Sequence, residues 1–385
     1  MPRKILIATS TRADWGLLSP VATALRCRPS CEVTVMATNM HLDPTRGNTL
    51  NEIRRDGFDP VLAPMPVSYS SGADAALAMS IGASSATEVI DRYSPDVIVI
   101  LGDRFEMLSV ATVAAVMKVP IIHIAGGEIT EGAFDDGFRH AITKLSALHL
   151  TATEAYRRRV IQLGEEPERV INTGAIGVIS AADRPPFTRQ ELERDLCWEF
   201  GEKSLLVTVH PETLSTLPTL ELIGRTLDAI DRFPQVNVLF TYPNNDPDGE
   251  MIIRAINSYA YTQPRGRVMI IPSLGRMRYH SALHCVTAVV GNSSSGIVEV
   301  PSAGIPTVDI GNRQRGRLAA SSVIHTPAET DSIISAIERA LEMDCSRVVN
   351  PYSQPNTLHT IVDAIADTPM ADLRRPKRFF DLNQL

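Results

Sequence analysis

Acidic side chains recur just after short apolar runs in the first half of this chain. Asp96–Leu101 (DVIVIL) is followed by Gly102-Asp103-Arg104, and Pro120–Ala125 (PIIHIA) by Gly126-Gly127-Glu128. Asp135 and Asp136 come seven and eight residues after Glu128, with Arg139 and His140 close behind. Carboxylates gathered at one place raise at least one another's pKa, which lets a site hold both an acid and a base at neutral pH. Asp103 also suits the plainer task of capping the next helix. Upstream, Thr9-Ser10-Thr11-Arg12-Ala13-Asp14 follows the first apolar run, and small hydroxyls with a fixed cation at a helix start suit a phosphate. Capping by Thr11 or Asp14 beside a solvated Arg12 is the competing reading.

The second half offers cations and hydroxyls instead. Ser204–Val209 runs into His210-Pro211-Glu212, which puts an imidazole at a strand tip, suited to a phosphate, a proton shuttle or a purely structural bond. Val286–Val290 runs into Gly291-Asn292-Ser293-Ser294-Ser295-Gly296, with Glu299 one turn further on. Backbone N–H groups and serine hydroxyls at a helix start bind phosphate, and Glu299 is placed to accept from both hydroxyls of a ribose. Gly311–Arg317 then carries Arg313, Arg315 and Arg317, a basic cluster in an acidic chain, which reads as a diphosphate clamp or a solvated loop. No G-x-G-x-x-G follows the first strand and no G-x-x-x-x-G-K-[ST] occurs, which argues against a conventional dinucleotide enzyme and a P-loop kinase.

The elements that position these residues follow a βαβα rhythm. Strands are expected at Ile5–Thr9, Val33–Thr38, Asp96–Leu101, Pro120–Ala125 and Ala147–Thr151, with helical spacing at Leu17–Leu25 and Asn48–Arg55 and with Gly16 opening the first helix. The rhythm breaks at Ala181–Phe187 (AADRPPF) and restarts with strands at Ser204–Val209, Val236–Thr241, Val268–Ile271, Val286–Val290 and Pro306–Ile310 and helices at Leu220–Arg232 and Ile333–Leu341. The expectation is an α/β chain of two Rossmann-like doubly wound domains facing a cleft: 1–180, 184–365, and a tail at 366–385 packing back on the body. Ligands of such sheets sit beyond the carboxyl ends of the strands, where the polar residues above fall.

Bulk properties agree. The 385 residues, 44% hydrophobic and 21% charged, suffice for two domains with cores of their own. A net charge of -7 argues against a nucleic-acid partner. Five cysteines with no C-x-x-C read as reduced thiols, and no apolar run approaches a membrane span, so a cytoplasmic location with no membrane partner is expected.

Taken in order, eight motifs resemble the UDP-N-acetylglucosamine 2-epimerase family over nearly the whole chain: Thr11-Arg12-Ala13-Asp14, Gly102-Asp103-Arg104, Gly126-Gly127-Glu128, Arg139-His140-Ala141-Ile142-Thr143-Lys144, His210-Pro211, Tyr242-Pro243-Asn244, Gly291–Gly296 with Glu299, and Gly311-Asn312-Arg313. Arg-Ala-Asp, Arg-His-Ala-Ile-Thr-Lys and Gly-Asn-Ser-Ser look like the hydrolysing branch. The non-hydrolysing branch typically has Arg-Pro-Glu at the first place and Glu-Glu where this chain has Asp135-Asp136. Leu17 departs from family members with Lys there, which leaves the sugar preference open.

The resemblance implies a GT-B-like fold and conversion of UDP-N-acetylglucosamine and water to UDP and N-acetylmannosamine. It implies that His210, Ser293, Ser294, Glu299 and Arg313, with Asn244 nearby, hold the nucleotide, and that Arg12 and Arg104 reach the phosphates. Asp14, Arg139, His140 and Arg317 are further substrate-binding candidates. Asp103, Glu128 and one of Asp135 and Asp136 would handle protons, with acid and base not separately assigned and His210 a further catalytic candidate. The partners implied are a UDP-sugar, UDP and a second copy of the chain, in a dimer or tetramer; no metal or redox cofactor is implied. The alternatives are a non-hydrolysing epimerase, a GT-B glycosyltransferase, an inactive nucleotide-sugar sensor, and related substrates such as GDP-linked N-acetylglucosamine or a UDP-linked diacetamido-trideoxyhexose.

Overall fold

Side chains alternate between the two faces of a strand, and a parallel sheet buries both faces. The second half of the chain shows this cleanly. Leu205, Val207, Val238, Phe240, Ala288 and Val290 point to one side and pack on Leu222, Ile223, Ile230, Ile252, Ile256, Ile333 and Ile337. Leu206, Leu239 and Val289 point to the other and pack on Leu192, Trp198 and Leu283. Near-continuous apolar runs follow from that double burial.

A computed structural model describes residues 1–44, 48–67, 72–130, 135–181, 185–212, 215–243 and 248–382. Among them lie thirteen strands, here labelled β1 Arg3–Thr9, β2 Cys31–Thr38, β3 Val61–Ala63, β4 Val97–Leu101, β5 Ile121–Ile124, β6 Leu148–Thr151, β7 Val170–Asn172, β8 Ser204–Thr208, β9 Asn237–Thr241, β10 Val268–Ile271, β11 Ala288–Gly291, β12 Thr307–Ile310 and β13 Val323–Thr326. They form a seven-stranded sheet ordered β3-β2-β1-β4-β5-β6-β7 and a six-stranded sheet ordered β10-β9-β8-β11-β12-β13. Every pairing is parallel. Strand order reverses between β1 and β4 in the first sheet and between β8 and β11 in the second, and crevices for ligands open at such reversals. The two parallel-sheet α/β halves match the expected fold class. The short strands β3, β7 and β13 lie toward the sheet margins and were not anticipated, because three or four residues carry too little period to read.

The chain divides into two units, one of Met1–Glu128, Asp135–Ile176 and Gln354–Leu385, the other of Ile129–Phe134 and Gly177–Ser353. The second unit thus ends before the expected 365. The helix Thr357–Asp367 packs in the first unit against the helix Arg12–Arg26. Arg3 donates to the carbonyls of Ile365 and Thr368, and Arg28 pairs with Asp363 and Asp367. This helix was not among those expected from the sequence. The expected boundary residue Arg184 lies outside the described residues.

Gly291 closes β11 at φ +138°, where a Cβ would collide with the Thr208 carbonyl of β8. Gly224, inside the helix Thr219–Asp231, has nothing within 4 Å of the place a Cβ would take. Gly291→Ala is therefore expected to destabilise the second unit by about 3 kcal/mol or more. Gly224→Ala is expected to gain about 0.5–1 kcal/mol. Thermal unfolding of the two variants checks this; equal midpoints would refute the close approach of β11 to β8.

Candidate functional site

In the first unit, the loops after β1, β4 and β5 emerge at the same edge of the sheet. Thr11 caps the helix Arg12–Arg26 in a reciprocal box. Its hydroxyl accepts from the Asp14 N–H at 3.3 Å, and the Asp14 carboxylate accepts from Ser10 Oγ at 2.8 Å and from the N–H groups of Ser10 and Thr11. The helix therefore starts at Arg12 rather than at Gly16 or Leu17, and Asp14 is engaged in the cap, the plainer of its two readings. Arg12 stands in the first turn, where burial lowers its pKa and nearby Glu52 opposes that.

The cap rests on His41, which is buried and lies between two threonine hydroxyls, Nε2 3.0 Å from Thr9 Oγ1 and Nδ1 2.9 Å from Thr49 Oγ1. Burial brings its pKa down to about 4 against the pull of Asp14.

Asp103, Asp136 and Glu128 meet at one cation. The Arg139 side chain is 1% exposed and bonds the Asp103 carboxylate, Asp136 Oδ1 at 3.0 Å and the Glu128 carbonyl at 2.8 Å. Asp136 also lies 3.3 Å from His140 Nε2. A helix accounts for this: Asp135–Leu145 places residues 136, 139 and 140 within one turn of each other. Asp135 opens that helix beside them. Arg104 is held bidentately by the buried Glu106, at 3.1 and 3.0 Å, so its guanidinium plane is fixed by its own helix. Glu128 itself is buried at the end of a turn in which Gly127, at φ +79°, has no room for a Cβ beneath the Tyr156 carbonyl.

His123 was not singled out from sequence, yet it supports the Asp103 turn. Its Nε2 lies 2.7 Å from the Gly102 carbonyl and its Nδ1 3.2 Å from Thr143 Oγ1. A carbonyl only accepts, so Nε2 carries the proton and Nδ1 accepts from Thr143. Burial holds this imidazole neutral, with a pKa down to about 3. The signal available was a lone polar residue in an otherwise apolar strand.

The second unit ties three loops together. The Asn292 side chain pairs with the His210 backbone in both directions, accepting from N at 2.7 Å and donating to O at 2.9 Å. The Asn292 carbonyl accepts from Gln314 Nε2 at 2.8 Å and from Arg313 Nη1 at 3.3 Å. Glu212 Oε1 accepts from the N–H groups of Asn312 and Arg313 at 2.8 and 3.1 Å. His210, Asn292 and Arg313 thus stand together at the reversal between β8 and β11, and Asn292, Gln314 and Glu212 are joints that sequence reading did not assign. Arg317 instead donates to Thr130 Oγ1 at 3.2 Å within the same unit. Asn244 lies outside the described residues.

Ser293 occupies the N-cap position of the helix Ser294–Val298 without a side-chain capping bond. Five residues make a weak macrodipole, so an anion here relies on hydroxyls and arginines more than on the helix. The hydroxyls are organised: Tyr279 donates to Ser295 Oγ at 2.6 Å, which lies 3.3 Å from Ser293 Oγ. Burial, with Glu299 adding, raises the Tyr279 phenol, so it stays protonated.

Glu299 keeps some exposed surface, but burial of its carboxyl raises the pKa from 4.5 to about 7. A raised acid stabilises the fold below its unfolded pKa and loses that contribution as pH rises through the folded one. Wild-type stability is expected to fall between pH 4.5 and pH 7, by on the order of 3 kcal/mol, relative to Glu299→Gln. Urea unfolding of both proteins across that range checks it; a difference constant with pH would refute the shift.

A profile of the UDP-N-acetylglucosamine 2-epimerase family matches residues 23–366. The chain is 34% identical over 99% of its length to polysialic acid biosynthesis protein P7 of Escherichia coli, covering 98% of that protein. It is 34% identical over 88% of its length to the GDP/UDP-N,N'-diacetylbacillosamine 2-epimerase (hydrolyzing) of Campylobacter jejuni, covering 87% of it. Its fold matches the crystal structure of UDP-GlcNAc 2-epimerase from Neisseria meningitidis bound to UDP-GlcNAc, with a TM-score of 0.79 at 18% identity, over 95% of this chain and all of that one. With motifs, fold and profile in agreement over nearly its full length, the chain belongs to the UDP-N-acetylglucosamine 2-epimerase family.

Proposed function

We propose that this family member is a hydrolysing 2-epimerase that converts UDP-N-acetylglucosamine and water to UDP and N-acetylmannosamine. The observation that carries the reading is the convergence of Asp103, Asp136 and the Glu128 backbone on the buried Arg139. The hydrolysing label of the Campylobacter jejuni relative supports the branch.

The C2 hydrogen of a hexosamine is not acidified by a carbonyl. Its removal becomes feasible when the C1–O bond to the diphosphate breaks in the same process. A carboxylate takes the proton, the C2–H electron pair becomes the C1=C2 double bond, and the C1–O pair departs with UDP. The product is a 2-acetamidoglucal. Water then adds at C1 while an acid protonates C2 on the opposite face, which inverts C2 and releases the free sugar.

Asp103, Glu128 and Asp135 or Asp136 of the first unit are the proposed proton carriers, with His210 a further candidate. Arg139 fixes the Asp103 and Asp136 carboxylates, His140 flanks Asp136, and Arg12 and Arg104 meet the phosphates. His210, Ser293, Ser294 and Arg313 of the second unit hold the diphosphate by preorganised positive charge and hydroxyls, and Glu299 accepts from the ribose. Asn244 and Arg317 are proposed to line the same nucleotide. A diacetamido-sugar nucleotide is the second reading, favoured by the name of the Campylobacter jejuni relative.

Turnover of UDP-N-acetylglucosamine in deuterated water, followed by NMR, is expected to give UDP and free N-acetylmannosamine with deuterium at C2. A product still linked to UDP would sink the hydrolysing assignment, and preferential turnover of the diacetamido nucleotide would move the substrate. Asp103→Asn with Glu128→Gln is expected to lower kcat by roughly 10²–10⁴. Its UDP affinity by calorimetry should stay near wild type, and full activity in that double variant would remove the acids from the mechanism.

A further inference from the structure

Lys377, far from the helix Asp135–Leu145 in sequence, ends at that helix's last turn. Its Nζ donates to the Lys144 carbonyl at 2.7 Å and to Glu165 Oε2 at 2.9 Å. Glu165 is 1% exposed and takes Lys144 Nζ on its other oxygen and His149 Nε2 at 3.0 Å. Lys144 Nζ also donates to the Leu163 carbonyl at 3.1 Å. Burial by itself would raise the Glu165 carboxyl; the His149 bond and the two ammonium groups outweigh it and bring it to about 2.

The flanking residues fasten the same segment. Phe379 lies where a Cβ on Gly164 would collide with its ring, and Lys144 Nζ sits 5.3 Å from the ring centre. The Phe380 N–H donates to the Gly164 carbonyl at 3.0 Å, and its ring packs on Val160, Ile161 and Val170. Arg169 Nη2 donates to the Arg375 carbonyl at 3.0 Å.

Residues four apart share a helical face, so Lys144 lies on the face of His140 and Asp136. The segment therefore grips the last turn of the helix that carries Asp136 in its first turn and Arg139 and His140 at its middle. A buried ion cluster repays little of its desolvation in net stability; what it fixes is geometry. We propose that the C-terminal segment Arg375–Phe380 is a positioning device, with Lys377 and Phe379 setting the seat of the helix that carries Asp136, Arg139 and His140. Both residues act on the helix through Lys144, Glu165 and Gly164, so the role proposed for them is positioning. The inference rests on the reading that this helix serves the sugar chemistry.

The test uses the full chain with Lys377→Met, Lys377→Arg and Phe379→Ala. Displacement of a catalytic group by about 1 Å costs up to about 100-fold, so Lys377→Met is expected to lower kcat about 10- to 100-fold, with KM and UDP affinity within about twofold. Lys377→Arg should recover most of the rate. Phe379 is a surface residue at 69% exposure, so Phe379→Ala keeps its fold and serves as the second variant, expected to lower kcat in the same direction. Hydrogen exchange supplies a readout independent of turnover: amides of the helix should exchange faster in both loss variants, while those of the second unit keep wild-type protection. A loss of thermal stability with unchanged kcat, or unchanged exchange in the helix, overturns the proposal. An inactive wild type would instead fail the functional reading, and the exchange result would still decide the positioning.

Discussion

Holding a guanidinium almost wholly out of water requires that its charge and donors be met, and Arg139 meets them with two aspartates and a main-chain carbonyl. Removing such a cation would leave carboxylates facing one another without compensation, which is among the more damaging changes a fold can suffer. The arrangement also reconciles two needs. The proposed reaction asks several acids to stand near one centre, and their mutual repulsion must not push the loops apart. One buried arginine, presented by the helix Asp135–Leu145, satisfies both. Around it the other contacts are supports: His123 holds the turn before Asp103, and Gly127 lets the chain pass close beneath Tyr156 on the way to Glu128.

The second unit solves a different problem by different means. Its loops carry few buried charges and are joined by amides. Asn292 imitates a strand neighbour by pairing with both backbone groups of His210, and Glu212 gathers the N–H groups of the arginine-bearing loop. Arg313 is thus anchored at its own main chain before it meets any anion. In the proposed reaction such preorganisation would let charge be stabilised without reordering the loop.

Much of this was legible in the sequence. Double burial writes parallel strands as apolar runs, and the polar residue after each run marks the ligand edge. Hence Asp103, Glu128, His210 and Ser293 were readable as candidates. Their partners were less so. Arg139 is visible as a neighbour of Asp136, but its bond to Asp103 joins residues 36 apart and depends on β4 and β5 being adjacent. Asp14 could be a cap or a ligand in sequence, and only the hydroxyl and N–H groups of Ser10 and Thr11 show the capping box. The start of the first helix moved for the same reason: Thr11 nucleates it before the apolar spacing begins. The helix Thr357–Asp367 was not anticipated, and its choice of unit depends on pairs such as Arg28 with Asp367, which no local pattern announces.

The second unit is nested in the first, since the chain returns at Gln354 to complete what began at Met1. Synthesis runs from the amino terminus, so β8 through β13 are all made before Lys377 exists. A nascent first unit lacks its returning helix and the second of the two ammonium groups on Glu165 during that interval, while the nested unit already has every strand it needs. Order of completion is thereby inverted: the half begun first is finished last.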